Sequence, residues 1–313
     1  MFKLVQNENM KIYRRPRTWI MIAILVALIC LISILMKTVD APKDADNWRP
    51  KVEQQVKNLE QGLQGKLPDD IRKSMEEDLK ISKAQLEKDI QPWEYTMWGA
   101  VKEMSGLIMV VTIFTVIVAS DMVAGEFTWG TIKLLLIRPV NRSKILLSKY
   151  LAAFLFALFL LVVLFLVSIL VNGILYGFDG SGTALLSVND AGNVVEGSLV
   201  GHLLATYGYN CVSLIMVVTL SFMISTVFRS SSLAIGLSIF VMLASLIIMP
   251  ILARYDWMKY YLFSNVDLTQ YMDGRQPLIE GMTMTFSIVV LIVYFIIFNV
   301  LSWTIFKKRD VAA

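Results

Sequence analysis

Histidine and cysteine are almost missing from this chain, with one histidine and two cysteines in 313 residues. A single histidine, His202, forbids the H-E-x-x-H pair of a metalloprotease, and no serine stands in the G-x-S-x-G turn of a hydrolase. His202 is therefore read as a polar residue at the mouth of a membrane span. Cys30 and Cys211 both fall in apolar stretches, so neither a disulfide framework nor a zinc cluster is available. A G-x-x-x-x-G-K-[ST] phosphate loop is also missing. The stretch Gly62-Leu63-Gln64-Gly65-Lys66 has neither its spacing nor its hydroxyl. These absences point away from an enzyme: no catalytic residue, no metal and no cofactor bound by this chain is expected.

Charge is scarce as well. Asp, Glu, Lys and Arg make up 17% of the chain, against about 25% in soluble domains. What abounds is apolar: 56% of residues are hydrophobic and the mean hydropathy is +0.63. The excess sits in long blocks nearly devoid of charge, the pattern of a chain that crosses a bilayer. The net charge of +4 thus belongs to connecting segments and does not signal nucleic acid.

Six blocks are long enough to span: Trp19–Met36, Met104–Ser120, Tyr150–Asn172, Leu203–Phe228, Leu233–Ala253 and Thr285–Phe306. Extending the second block back to Trp98 admits Lys102 and Glu103 at its outer end. No other acid or base is expected within a span, which weakens the case for an ion-coupled transporter. The fourth and fifth blocks are separated by Arg229-Ser230-Ser231-Ser232 alone, which predicts a tight turn. The first block is too long for a cleaved signal and lacks a small-x-small exit, so it reads as a retained anchor.

Lysine and arginine set the orientation. One side collects Lys3, Lys11, Arg14, Arg15 and Arg17, then Lys133, Arg138, Arg142, Lys144 and Lys149, then Arg229, Lys307, Lys308 and Arg309. The segment from Gly173 to His202 on the other side has none. Both termini are expected in the cytoplasm.

The polar stretch 37–97 faces outward in this topology. Val52, Val56, Leu59 and Leu63, then Ile71, Met75, Leu79, Leu86 and Ile90, recur at helical spacing. An extracellular helical hairpin follows, turning near Gly65–Asp70 with Asp69 or Asp70 as cap. Its bland role is to bury its own apolar stripes; its functional role would be a lid or sensor.

The inner segment 121–149 carries more information than a connector. Phe127, Trp129, Ile132, Leu135 and Leu136 form an apolar face beside Asp121, Glu126 and Lys133. Arg138-Pro139 breaks the helix, and Asn141 or Ser143 can cap the next one. The result is a short helix lying along the membrane: a knob for a cytosolic partner, or merely an interfacial anchor.

Glu126-Phe127, Gly130-Thr131, Leu134-Leu135-Leu136, Arg138-Pro139-Val140, Arg142, Leu146-Leu147 and Lys149 together resemble a recurring pattern of the ABC exporter permeases of the type-2 class. Phe228–Gly236, the stretch from Asp267 to Asp310, and the N-terminal Leu4, Val5, Glu8, Ile12 and Tyr13 resemble the same family. The resemblance implies the permease subunit of an ATP-driven exporter in a bacterial inner membrane. A cytosolic ABC ATPase would supply the ATP, and a second permease chain, the same or homologous, would complete the pathway. The resemblance does not cover the outer hairpin; with the readings above, the chain divides into a cytoplasmic amphipathic connecting helix over 1–17, the first span over 18–36, the outer hairpin over 37–97, and a five-span bundle over 98–313 with the coupling segment 121–149. Glu126, Phe127, Gly130, Thr131, Pro139 and Arg142 would shape the coupling segment and meet the ATPase. Two other classes stay open: a membrane sensor or assembly protein working through the outer hairpin, and an ion-coupled secondary transporter. No residue selects a substrate. The expected fold is an all-α integral membrane protein with six transmembrane helices.

Overall fold

The computed structural model describes residues 1–39, 48–65, 68–93, 96–132, 140–178, 184–188, 192–272, 277 and 279–308. The chain folds as an all-α multi-pass membrane protein. Its six helices of sufficient length and apolarity are α2 (Pro16–Val39), α6 (Ile108–Thr128), α7 (Arg142–Tyr176), α8 (Leu199–Val227), α9 (Ser231–Leu252) and α11 (Met284–Lys308). A short helix, α1 (Phe2–Tyr13), precedes them. Between α2 and α6 come α3 (Arg49–Gly62), α4 (Asp69–Lys88) and α5 (Met97–Glu103). A 3₁₀ turn at Met104–Leu107 joins α5 to α6, so one nearly unbroken run extends from Met97 to Thr128.

Helix ends follow local chemistry. Asn141 caps α7, its Oδ1 accepting from Ser143 N at 2.9 Å. Ser198 caps α8 by accepting from Gly201 N at 3.2 Å, and Ser230 caps α9 by accepting from Leu233 N at 3.4 Å. Each side chain satisfies a backbone donor that the first turn leaves without a partner. The tight turn between α8 and α9 is thus built by the serine run. At α4 the cap differs from expectation: Pro68 holds that position with no side-chain bond, and Asp69 is already helical.

Two further elements were not expected. Strands β1 (Ala184–Val188) and β2 (Val194–Ser198) pair antiparallel, with Ala184 opposite Ser198 and Val188 opposite Val194. A short helix α10 (Leu262–Val266) lies between 3₁₀ turns at Asp256–Tyr260 and Leu268–Tyr271. The β-hairpin meets the α3–α4 helical hairpin: Lys80 Nζ donates to Gly192 O at 3.2 Å and Lys88 pairs with Glu196 at 2.6 Å. Within the helical hairpin, Glu60 pairs with Lys83 at 2.7 Å and Arg49 with Asp89 at 2.6 Å.

The core centres on α6, α7 and α8. Val111, Phe156, Leu160, Leu164 and Val218 are shut from solvent and pack with Leu25 and Ile29 of α2. A second cluster of Val116, Ala124, Met216, Ala234, Met242, Leu291 and Phe298 joins α6 and α8 to α9 and α11. Outward-facing Ile20, Ile24 and Leu31 on α2, with Phe240 and Ile247 on α9, form an apolar surface suited to lipid. Apolar contact does not drive association between helices in lipid, so small and hydroxyl residues hold the seams. Ser225 Oγ donates to Ser120 O at 2.6 Å and accepts from the backbone N–H groups of Val123 and Ala124 at 3.1 and 3.0 Å. Ser120 Oγ lies 2.9 Å from Ser238 Oγ, which brings α9 into the same knot.

The spans extend past their apolar blocks. Glu126 and Asp121 lie within α6, and Lys149 lies within α7. The expectation that Lys102 and Glu103 are the charges within a span is therefore corrected. The second block ends at Ser120 in hydropathy alone; the helix continues because buried partners stabilise the charges that follow.

Candidate functional site

Five elements converge where α6 ends and α7 begins, at the end of the bundle bearing Phe2 and Lys308, here called the base. Helix α1 docks along α7, with the Tyr13 ring edge-on to Phe156 and Phe159 at centroid distances of 6.1 and 5.4 Å. That docking places Glu8 and Lys11, one helical turn apart, against α6 and α7. Lys149 Nζ donates to Glu8 Oε2 at 2.8 Å and to Glu126 Oε1 at 2.7 Å. Lys11 Nζ reaches the same two carboxylates, both at 3.0 Å. The four charges form a closed, neutral ring. Lys149 is only 2% exposed, and isolating such a charge from water without partners would cost several kcal/mol, on the order of the penalty for a buried ion.

A second ion group adjoins the ring. The Arg15 and Arg17 guanidinium groups both donate to Asp121 Oδ2, and the Ser231 hydroxyl donates to Asp121 Oδ1. Asp121 thereby fastens the α1–α2 turn and the start of α9 to α6. Lys11 lies outside the spans and titrates in a legible direction. Burial pulls its pKa down, but the Glu8 and Glu126 carboxylates outweigh that effect and raise it above 10.5.

Of the residues singled out from sequence, Glu126 and Thr131 belong to this site. The Thr131 hydroxyl donates to Glu126 Oε2, bridging the ring to the turn after α6. Phe127 packs against the main core cluster. Gly130 adopts φ +69, the left-handed region that a side chain resists, and so allows the chain to leave α6 sharply. Arg142 lies apart from the ring: it donates to Lys307 O at 3.3 Å and joins the start of α7 to the end of α11. Pro139 falls outside the described residues, as do residues 133–138 of the expected membrane-parallel helix, while its first part is placed otherwise than expected: Phe127 lies in the last turn of α6, and Trp129 and Gly130 in the turn that follows. The first eight residues of the 121–149 segment are the last turns of α6, and 142–149 are the first turns of α7.

Glu8, Lys11, Arg15, Arg17, Asp121 and Lys149 were not assigned to a site from sequence. From sequence the tail cations serve only to mark topology. The Glu8/Lys11 spacing and the lone acid Asp121 at the end of an apolar block were the available signals.

The ion groups line an open cavity of about 640 Å³ between α1, the start of α2, and the end of α6. Its charged side is formed by Glu8, Lys11, Arg15, Arg17, Asp121, Glu126 and Lys149, and Ile12, Pro16, Val118 and Met122 supply apolar wall. Trp129, 74% exposed, stands at its rim. Among the described residues, no three His, Cys, Asp or Glu side chains converge as a metal site requires. The Thr131 and Ser231 hydroxyls are both engaged by carboxylates, of Glu126 and Asp121, and these bonds and the ion pairs fasten α1, the start of α2 and the start of α9 to α6 and α7.

Residues 85–312 match the family described as "Protein of unknown function (DUF2705)". The chain is 43% identical to the "Uncharacterized protein YhcI" of Bacillus subtilis (strain 168), across the full length of both. It is 32% identical to the "Uncharacterized membrane protein YdbK" of the same organism, over 63% of this chain and 76% of that one. The chain belongs to the DUF2705 family.

Proposed function

We propose that this member of the DUF2705 family is the membrane subunit of an ATP-driven exporter in a bacterial plasma membrane, coupled to a separate cytosolic ATPase. The observation that carries the reading is the ring of Glu8, Lys11, Glu126 and Lys149. Glu126 and Lys149 flank the segment that resembles the coupling segment of type-2 permeases, and both are fastened to α1. A partner pressing on that segment would move α1, α6 and α7 together, because separating them breaks buried ion pairs. The cationic N-terminal tail supports placing the base on the cytoplasmic side. Trp129, exposed beside Gly130, suits a contact residue for the ATPase. A second copy or a homologue would complete the translocation pathway.

The test is to purify the tagged chain from its native membranes in mild detergent. A separate ATPase is expected to accompany it in stoichiometric amount and to be lost in Trp129→Ala and Glu126→Arg. Trp129→Ala should leave the melting temperature unchanged, which separates lost contact from lost fold. A stable chain that remains ATPase-free under several gentle conditions would refute the proposal. A second reading, an ion-coupled carrier, draws on Asp121 and Lys149, titratable groups inside α6 and α7. It requires transport that survives ATP depletion and stops when ion gradients collapse.

A further inference from the structure

Among the described residues, the charges around the base cavity do not balance. Lys11 and Lys149 are matched one for one by Glu8 and Glu126. Arg15 and Arg17, by contrast, share a single carboxylate and even a single oxygen of it, Asp121 Oδ2. The other oxygen of Asp121 is taken by Ser231. One positive charge is therefore left over, and it is located at the arginine pair. Arg17 Nε is buried and has no hydrogen-bond partner among the described residues. A guanidinium has five donors in a fixed fork, and an orphaned buried donor costs about 1–3 kcal/mol. Both arginines line the 640 Å³ cavity, a volume within the range of small-ligand sites. An anion with several acceptor oxygens would engage these donors, and a phosphate group is the natural match to two guanidinium forks.

The surroundings indicate where that phosphate comes from. The cavity lies at the end of the spans, where α1 turns into α2. Trp19, whose Nε1 donates to Tyr13 O at 2.8 Å, and Trp129 are both largely exposed there. Exposed tryptophans at the ends of spans mark the headgroup level. Helix α1 buries Glu8 and Ile12 and turns Phe2 and Met10 outward, as a helix lying in the interface does. Charged and apolar sides meet inside the cavity, with Ile12, Pro16, Val118 and Met122 facing the ion groups. Such a site suits a ligand that is ionic at one end and hydrocarbon at the other.

We propose that this cavity binds the phosphodiester headgroup of an anionic glycerophospholipid, held by the paired guanidinium groups of Arg15 and Arg17. The lipid supplies the missing acceptor oxygens, and its glycerol and first methylenes lie along the apolar wall. It would act as a third fastener between α1 and α6. This inference does not depend on the exporter reading, and its test involves no ATPase.

The test uses the purified full chain in a neutral detergent, titrated with dioctanoyl-phosphatidylglycerol, dioctanoyl-phosphatidylcholine or inorganic phosphate while melting is followed. Phosphatidylglycerol should raise the melting temperature saturably, and phosphatidylcholine should not at the same concentrations. In Arg17→Gln the half-saturating concentration should rise tenfold or more. If that variant does not fold, Arg15→Gln, at a more exposed position, carries the same expectation. Native mass spectrometry of the wild-type chain should retain one phosphatidylglycerol in preference to phosphatidylcholine. Equal responses to the two lipids, or a response unchanged in the arginine variants, would overturn the proposal. Inorganic phosphate reproducing the whole shift would make this a site for a soluble anion and refute the lipid assignment. Retention of both lipids in proportion to their supply would also refute it, whatever the variants do.

Discussion

Replacing Lys149 by methionine removes one cation from the closed ring while keeping an unbranched side chain of similar length. Glu8 and Glu126 then face each other with Lys11 as their shared cation among the described residues. Breaking a buried ion pair by deleting one partner costs about 3–5 kcal/mol. Lys11, 3.0 Å from both carboxylates and partly solvated, recovers some of that. The expected loss is about 2–4 kcal/mol, a change of roughly two orders of magnitude in the folding equilibrium. Adding Glu126→Gln to Lys149→Met restores neutrality and leaves the Glu8–Lys11 pair intact. The double variant should therefore be more stable than the sum of the single losses by about 1–3 kcal/mol. Reversible unfolding in mixed detergent and SDS micelles, followed by tryptophan fluorescence, measures all four corners of this cycle. Losses that add to within about 0.5 kcal/mol would show that the ring is four independent surface charges, and the argument would fall.

Three other expectations follow from single contacts. Ser225→Ala withdraws an acceptor from two α6 backbone N–H groups and a donor from Ser120 O. It should cost about 1–3 kcal/mol in the same assay, whereas Ser238→Ala, which leaves these bonds in place, should cost no more than about 1 kcal/mol; equal losses would contradict this ranking. At Gly99 a Cβ would lie 1.7 Å from Trp93 O, so Gly99→Ala must displace backbone and should lower the melting temperature, and an unchanged melt would exclude that close approach. Lys11 has its pKa raised in the fold above 10.5, so its contribution is complete below pH 10.5 and fades as pH climbs through the raised value. A spin label at the exposed position 2 should report α1 docked from pH 7 to 10 and loosened above that range, while Lys11→Met should abolish the pH step.

The spans were legible because a bilayer imposes one strong rule, an apolar run of sufficient length. The same rule misplaced their ends. A hydropathy window stops at Asp121, yet this carboxylate is buried by Arg15 and Arg17, more than a hundred residues earlier in the chain. Pairing over such separations leaves no periodic trace. Thr131 and Glu126 emerged as candidates through resemblance, and their contact was not inferable from spacing. The hairpin of β1 and β2 is short, and its strands lack the alternation that would have revealed it. The local turn signal was the run Asn189-Asp190-Ala191-Gly192-Asn193, in which Gly192 adopts φ +78. Asn141 was legible because a side-chain cap is a local bond between neighbours in sequence.

The Ser225 hydroxyl occupies the place beside α6 that a bridging water would fill in a kinked helix. A water can leave or slide along the backbone; a covalently tethered hydroxyl cannot. Helix α6 is consequently registered to α8 at one fixed height, and any axial slip of one past the other must break three hydrogen bonds at once. Within their most apolar stretches both helices are mostly buried, whereas those of α2, α9 and α11 are mostly exposed. The bundle thus has an inner pair, α6 and α8, keyed to each other at one height, and outer helices whose exposed faces suit lipid.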